Sequence, residues 1–272
     1  EVANELGVEK TFKLADLGIY FGDGPGVTKA DPYFDGKGPA RTGCIQCGEC
    51  MTGCRHNAKN TLVKNYLALA ERLGIIIKPM TTVTNFKLTD DIWHVETRKS
   101  SSWLPRKKVL TANQLVVAAG TFNSQKLLHK MKVTGSLPKI SDYLGKLSRT
   151  NSEALTGAIM PKSNIDFTQG SAITSSFQPD KYTHIEPVRY GKGSNSMALL
   201  QTVLTDNKSN RLIQVIKKPI TMLKLLNVRN WSERGVIALV MQNVDSAIST
   251  SMKKGLFGWK LTSKNNSENP LK

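Results

Sequence analysis

The sequence predicts an α/β protein in two incomplete parts. The first is a sheet domain in which a β-meander replaces one crossover helix. The second is built on a mixed or antiparallel sheet of α+β type. Three observations carry this. The apolar period changes from helical to alternating after Gly74. A buried run, Gln114-Leu115-Val116-Val117-Ala118-Ala119-Gly120, leads through a Gly turn into a helical pattern. Short alternating runs then recur between residues 171 and 205. The boundary falls between residues 145 and 146, giving parts 1–145 and 146–272.

Residues 1–43 read as loop, punctuated by Gly22-Asp23-Gly24-Pro25-Gly26 and Asp35-Gly36-Lys37-Gly38-Pro39. Asn60 can cap a helix ending near Leu73, because Leu62, Val63, Tyr66, Leu67, Ala70 and Leu73 recur at helical spacing and Gly74 supplies a stop. Residues 75–78 are a short apolar strand. Residues 81–88 and 92–98 are rich in β-branched and aromatic side chains around an Asp90-Asp91 turn, and residues 103–110 add a third strand. Residues 121–131 form the helix beyond Gly120. Residues 172–177, 182–188, 197–204 and 236–240 read as further strands. Between them residues 206–234 are basic and amphipathic; Gly255-Leu256-Phe257-Gly258-Trp259 and a polar tail close the chain.

Composition narrows the classes. With 39% hydrophobic and 22% charged residues among 272, a packed core forms and wholesale disorder is excluded. No run of 18 apolar residues occurs, which argues against a spanning helix. Lys plus Arg number 38 against 21 Asp plus Glu, a formal +17 that suits nucleic acid, an anionic membrane surface or an anionic cofactor. Nucleic acid is disfavoured: the basic residues form no compact stripe, aromatics are 7%, and no nucleic-acid motif appears. Residues 206–272 carry 12 Lys or Arg against 4 Asp or Glu. There Ile213, Ile216, Ile220 and Leu223 interleave with Lys217, Lys218 and Lys224, which fits peripheral membrane contact. The solvated face of a core helix is the preferred reading. The opening Glu1-Val2-Ala3-Asn4 and the ending at Lys272 lead to the expectation of an internal piece of a longer protein, so a targeting signal cannot be judged.

All four cysteines, Cys44, Cys47, Cys50 and Cys54, lie within eleven residues. Such crowding favours a reducing, cytoplasmic compartment and a metal site over a disulfide scaffold. C-x2-C-x2-C-x3-C is the spacing of a [4Fe–4S] ferredoxin loop, and Gly48 and Gly53 help its turns. Arg55 follows the fourth cysteine where Pro is usual, and no second motif exists. Four reduced thiols beneath a loop fit the pattern equally well; zinc, which usually takes two separated pairs, and a disulfide fit it less. His56, His94, His129 and His184 show no i, i+4 pair.

Cys54-Arg55-His56-Asn57-Ala58-Lys59-Asn60-Thr61-Leu62 with Asn65-Tyr66-Leu67 resembles the glucose–methanol–choline (GMC) flavoprotein oxidoreductases, above all their bacterial cholesterol-oxidase-like branch. Residues 116–128 look like that branch's second nucleotide-binding turn. Leu144-Gly145 with Arg149-Thr150-Asn151-Ser152 looks like its entry into the substrate domain, and His184-Ile185-Glu186-Pro187-Val188-Arg189-Tyr190-Gly191 continues the match. The resemblance implies part of an FAD-binding Rossmann-like domain joined to part of a substrate domain. It implies hydride transfer from an alcohol carbon of a hydrophobic or sterol-like substrate to FAD, with O2 or a redox protein as electron acceptor. The family's GxGxxG fingerprint and its flavin-side His and Asn are absent from this sequence, so the chain by itself is expected to be inactive.

By the same resemblance Val83 lies near the adenine, core packing being equally good. Ala118, Ala119 and Gly120 line the FAD, where a side chain larger than methyl blocks close approach. Glu186 falls near the acidic residue of the steroid pocket, where a partly desolvated carboxylate can move protons; a surface pair with Arg189 fits as well. Asn151 reaches the flavin edge or is an ordinary turn residue, and His184 neighbours the substrate or is structural. Cys44, Cys47, Cys50 and Cys54 are the metal candidates, and a cluster there would pass electrons from FAD to a redox protein. The rival classes are an iron–sulfur electron carrier and a basic nucleic-acid-binding protein.

Overall fold

The computed structural model describes residues 1–104, 106–161, 164–205, 210–256 and 258–265. Pro105 of the third meander strand, Phe257 of the Gly–aromatic stretch, residues 206–209 of the basic stretch and the tail from residue 266 lie outside the described residues. The main elements in chain order are α1 (Tyr66–Arg72), β1 (Thr81–Thr89), β2 (Ile92–Lys99), β3 (Lys107–Ala112), α2 (Gly120–Val133), β4 (Ala154–Ile159), β5 (Thr183–Val188), α3 (Arg211–Ile216), α4 (Pro219–Leu225), β6 (Gly235–Gln242), β7 (Ala247–Gly255) and β8 (Gly258–Asn265). The architecture is mixed α and β, with small antiparallel sheets and few helices. Among the described residues every ladder is antiparallel, and only the isolated bridge Cys47–Gly170 is parallel.

Contacts divide the chain into two units, Glu1–Ile75 with Ser152–Asn243 and Ile76–Asn151 with Val244–Lys272. These interleave along the chain, where the sequence reading drew a single boundary.

In the unit containing residues 76–151, β1, β2 and β3 form a meander. Asp90 and Asp91 make its first turn with φ of 50° and 58°, the paired left-handed geometry that matches the twist of a two-residue hairpin. Phe86 and Val95 turn one face of the meander onto Met131 of α2, and Leu115, Val117, Leu127 and Leu128 pack around them. Lys130 donates to the Thr84 carbonyl at 3.1 Å, tying α2 to β1. A second sheet runs β8, β7, Ser148–Arg149. It meets α2 where His129 bonds Thr250 at 3.0 Å.

The other unit holds the sheet β5-β6-β4, with β6 central. Its first sixty residues are largely loop, as expected. They are held by Tyr20 N–H to the Ala58 carbonyl (2.9 Å), an Ile19–Lys59 bridge, and pairing of Lys13–Leu14 with Ser175–Ser176. Arg41 is fully buried here. It donates to Asn60 Oδ1 at 2.9 Å and to the Lys64 carbonyl, over the Tyr33 ring.

Several expectations are corrected. Asn60 does not cap α1; its carboxamide receives Arg41, the helix starts later, and Asn65 Oδ1 accepts from Tyr66 N–H at 2.5 Å. Residues 75–78 and 114–118 are unassigned to any ladder, because a strand needs a neighbour to take its N–H and C=O groups and no described residue supplies one. Residues 197–204 do not form a strand: Asn195–Leu200 is a run of 3-10 helix. The β7–β8 hairpin is more extensive than the sequence suggests, because Ser, Thr and Lys dilute its apolar alternation.

Candidate functional site

The extended segment and turn at residues 114–120, leading into α2, present an open rim. Leu115 and Val117 point into the core of their unit, while Val116 is 86% exposed on the opposite side. Ala118, Ala119 and Gly120 are all exposed. Gly120 has φ +72°, and no heavy atom lies within 4 Å of where its Cβ would be. The rim is therefore not plugged by side chains of the described residues. It opens the fourteen-residue α2, whose first-turn N–H groups lack intrahelical partners and whose dipole is positive at this end. Ala119 N–H is taken by Ser124 Oγ at 3.1 Å, which fixes the turn. Val83 packs its side chain against the cluster of Phe86, Val95 and Met131, and its backbone lies at the irregularity between Val83 and Asn85.

The cysteine loop folds into one small chamber. Cys44 N–H donates to the Tyr20 carbonyl at 2.9 Å, and Gln46 N–H points at Cys44 Sγ at 3.4 Å. Gln46 (φ 58°) and Gly48 (φ 72°) turn the chain back. Gly48 must lack a side chain, since a Cβ would stand 2.4 Å from the Thr168 carbonyl. Cys44, Cys47, Cys50 and Cys54, all free, line a cavity of about 10 Å³ with Glu49, His56 and Lys59. Burial, reinforced by the neighbouring thiols, pushes the Cys44 thiol up. Burial also acts on Cys54, but backbone N–H groups of Lys59, Ala58, His56 and Asn57 together outweigh it and hold that thiol low. The cavity is large enough for a single water or ion. Beyond the spacing of the four cysteines, nothing among the described residues supports the [4Fe–4S] expectation.

On β5, His184 and Glu186 stand two residues apart and so share a face. His184 Nε2 lies 3.0 Å from Glu186 Oε1, both side chains partly buried. The expected Arg189 partner is elsewhere; its guanidinium donates to the Gln169 carbonyl. Asn151 is exposed, just beyond Ser148–Arg149, and belongs to the other compact unit. His129 is buried.

Residues 40–141 match the family model described as GMC oxidoreductase. Over 276 residues the chain is 52% identical to the cholesterol oxidases of Mycobacterium tuberculosis strains CDC 1551 / Oshkosh and H37Rv, covering 95% of this chain and 48% of each relative. Over residues 40–141 the chain is therefore similar to the GMC oxidoreductases. It is also 37% identical over 273 residues to the cholesterol oxidase of Acinetobacter baumannii, covering 94% of this chain and 49% of that one. It thus spans about half the length of the curated relatives it matches.

The GMC match takes in Val83, the Gly120 rim and the four cysteines, but not Asn151 or Glu186. Two features escaped the sequence reading. The His184–Glu186 pair was available from strand alternation, but the two residues were weighed separately. The approach of Glu49 and His56 to Cys47 depends on how the loop folds back, which no spacing rule specifies.

Proposed function

We propose that this chain supplies part of the FAD-binding and substrate-binding domains of an FAD-dependent oxidoreductase that takes hydride from a sterol or similarly hydrophobic alcohol. The carrying observation is the unplugged rim at Ala118–Gly120, in a chain half of whose residues are shared with enzymes named cholesterol oxidase. FAD, when bound, accepts the hydride. The residues at hand fit it: Gly120 and the two alanines leave backbone N–H groups approachable, and the start of α2 favours a phosphate. Val83 would contribute backbone near the adenine. Glu186, oriented by His184, would hold the proton leaving the alcohol, and Asn151 would orient polar groups at the flavin edge. O2 is the acceptor this reading keeps, because the relatives are named oxidases.

Supporting a peripheral membrane location, Leu212, Ile213, Ile216, Ile220 and Leu223 of α3 and α4 are exposed rather than packed on a core, beside exposed Lys217, Lys218 and Lys224. That is the composition of an interfacial surface on the cytoplasmic side. Among the described residues no helix is long and apolar enough to cross a membrane.

The test is the protein purified at its natural length. We expect a flavin absorption band near about 450 nm and peroxide release with cholesterol. Gly120→Val should lower bound flavin about tenfold or more, since a β-branched side chain is strained at positive φ and fills the approach. A protein free of flavin, or inert to every hydrophobic alcohol, sinks the proposal.

A further inference from the structure

We propose that the loop between Cys47 and His56 holds one zinc ion through Cys47 Sγ, the Glu49 carboxylate and the His56 imidazole. These ligand atoms all lie within 4.8 Å of one another, the one such group found among the described residues. A tetrahedral site with bonds of about 2.0–2.3 Å sets its donors about 3.3–3.8 Å apart, so small side-chain rotations close the triad. The cavity of about 10 Å³ suits one ion. Cys44, Cys50 and Cys54 line the same chamber and are the candidates for the fourth position. A donor set of thiolate, imidazole and carboxylate selects zinc over the all-oxygen preference of calcium or magnesium. Lys59, the one cation lining the chamber, is tethered by its ammonium to the Cys50 carbonyl at 2.9 Å.

The surroundings point to a structural role. Gly170 N–H donates to the Gln46 carbonyl at 2.8 Å, and Cys47 bridges Gly170. A Cβ at Gly191 would stand 2.9 Å from the Cys47 carbonyl and 2.5 Å from Glu49 Cγ. Two of the three ligand residues are thus packed against the segment that leaves β5, the strand bearing Glu186. An ion here clamps the loop to that segment. The inference stands apart from the oxidoreductase reading, because it needs neither flavin nor substrate.

The experiment is metal analysis of the natural-length protein purified without added metal, with flavin content read in the same samples. We expect about one zinc per chain, no acid-labile sulfide, and loss of at least about 90% of the metal in Cys47→Ser and in His56→Gln. Cobalt(II) put in place of zinc should give a thiolate charge-transfer band that Cys47→Ser abolishes and Lys59→Met retains. His56→Gln carries the test if Cys47→Ser fails to fold. Metal-free protein, four irons with acid-labile sulfide, or full zinc retention in His56→Gln would overturn the assignment whatever the flavin content.

Discussion

Arg41 shows how much one side chain can organise. Its guanidinium reaches Asn60 and the Lys64 carbonyl while its plane covers Tyr33, so one residue fastens three parts of an otherwise irregular loop region. Lysine has neither the fork nor the planar face. Arg41→Lys should therefore destabilise its unit by about 1–3 kcal/mol, read as a shift in the urea midpoint. His129 makes a different prediction. Thr250 donates its hydroxyl to Gln125, so it accepts from His129 Nε2–H, which defines the neutral tautomer. Burial, with Lys132 nearby, holds this imidazole below its ordinary 6.5. The unfolded chain then binds the proton more readily, so the stability linked to this group is full above about pH 6.5 and is lost as pH falls below it. His129→Gln should flatten the stability profile below about pH 6.5, measured by denaturant titration at each pH.

At the scale of elements, legibility followed locality. The β1–β2 hairpin was readable because alternation and its turn are neighbours in sequence. The turn and helix at Gly120 were readable because Gly and the helical pattern follow one another directly, while the run before them found no ladder partner among the described residues. The start of α1 was misread because Asn60 and Asn65 are both good caps, and only the buried Arg41 decides between them. The cysteine chamber was half legible: spacing marked the loop as a metal candidate, whereas the cavity size and the arrival of His56 belong to its fold. The hairpin also invites a gain. Both turn aspartates sit at positive φ, where Asn-Gly is preferred. Replacing Asp90-Asp91 by Asn-Gly should stabilise the meander by up to about 1 kcal/mol, seen as a higher melting temperature.

For the whole molecule, the apolar exposure is the dominant fact. Ile75, Ile76, Val116 and Phe122 are exposed in and around segments with strand-like composition but no ladder partner among the described residues. Large apolar surfaces and open edges drive association. The 272-residue chain in isolation should therefore self-associate, and Val116→Lys should lower its apparent mass in sedimentation velocity without lowering the melting temperature of the meander core. This global property was the least legible. Continuous apolar runs identified the segments as buried strands, but burial depends on a partner that local pattern cannot provide.

The bare backbone at residues 114–118 also makes a built-in clock. Among the described residues no carbonyl shelters the amide hydrogens there, so deuterium should replace them almost as fast as in an unstructured peptide. Neighbours laid alongside would slow that replacement by orders of magnitude. Mass spectrometry of this one peptide would then time, residue by residue, the moment at which the sheet becomes whole.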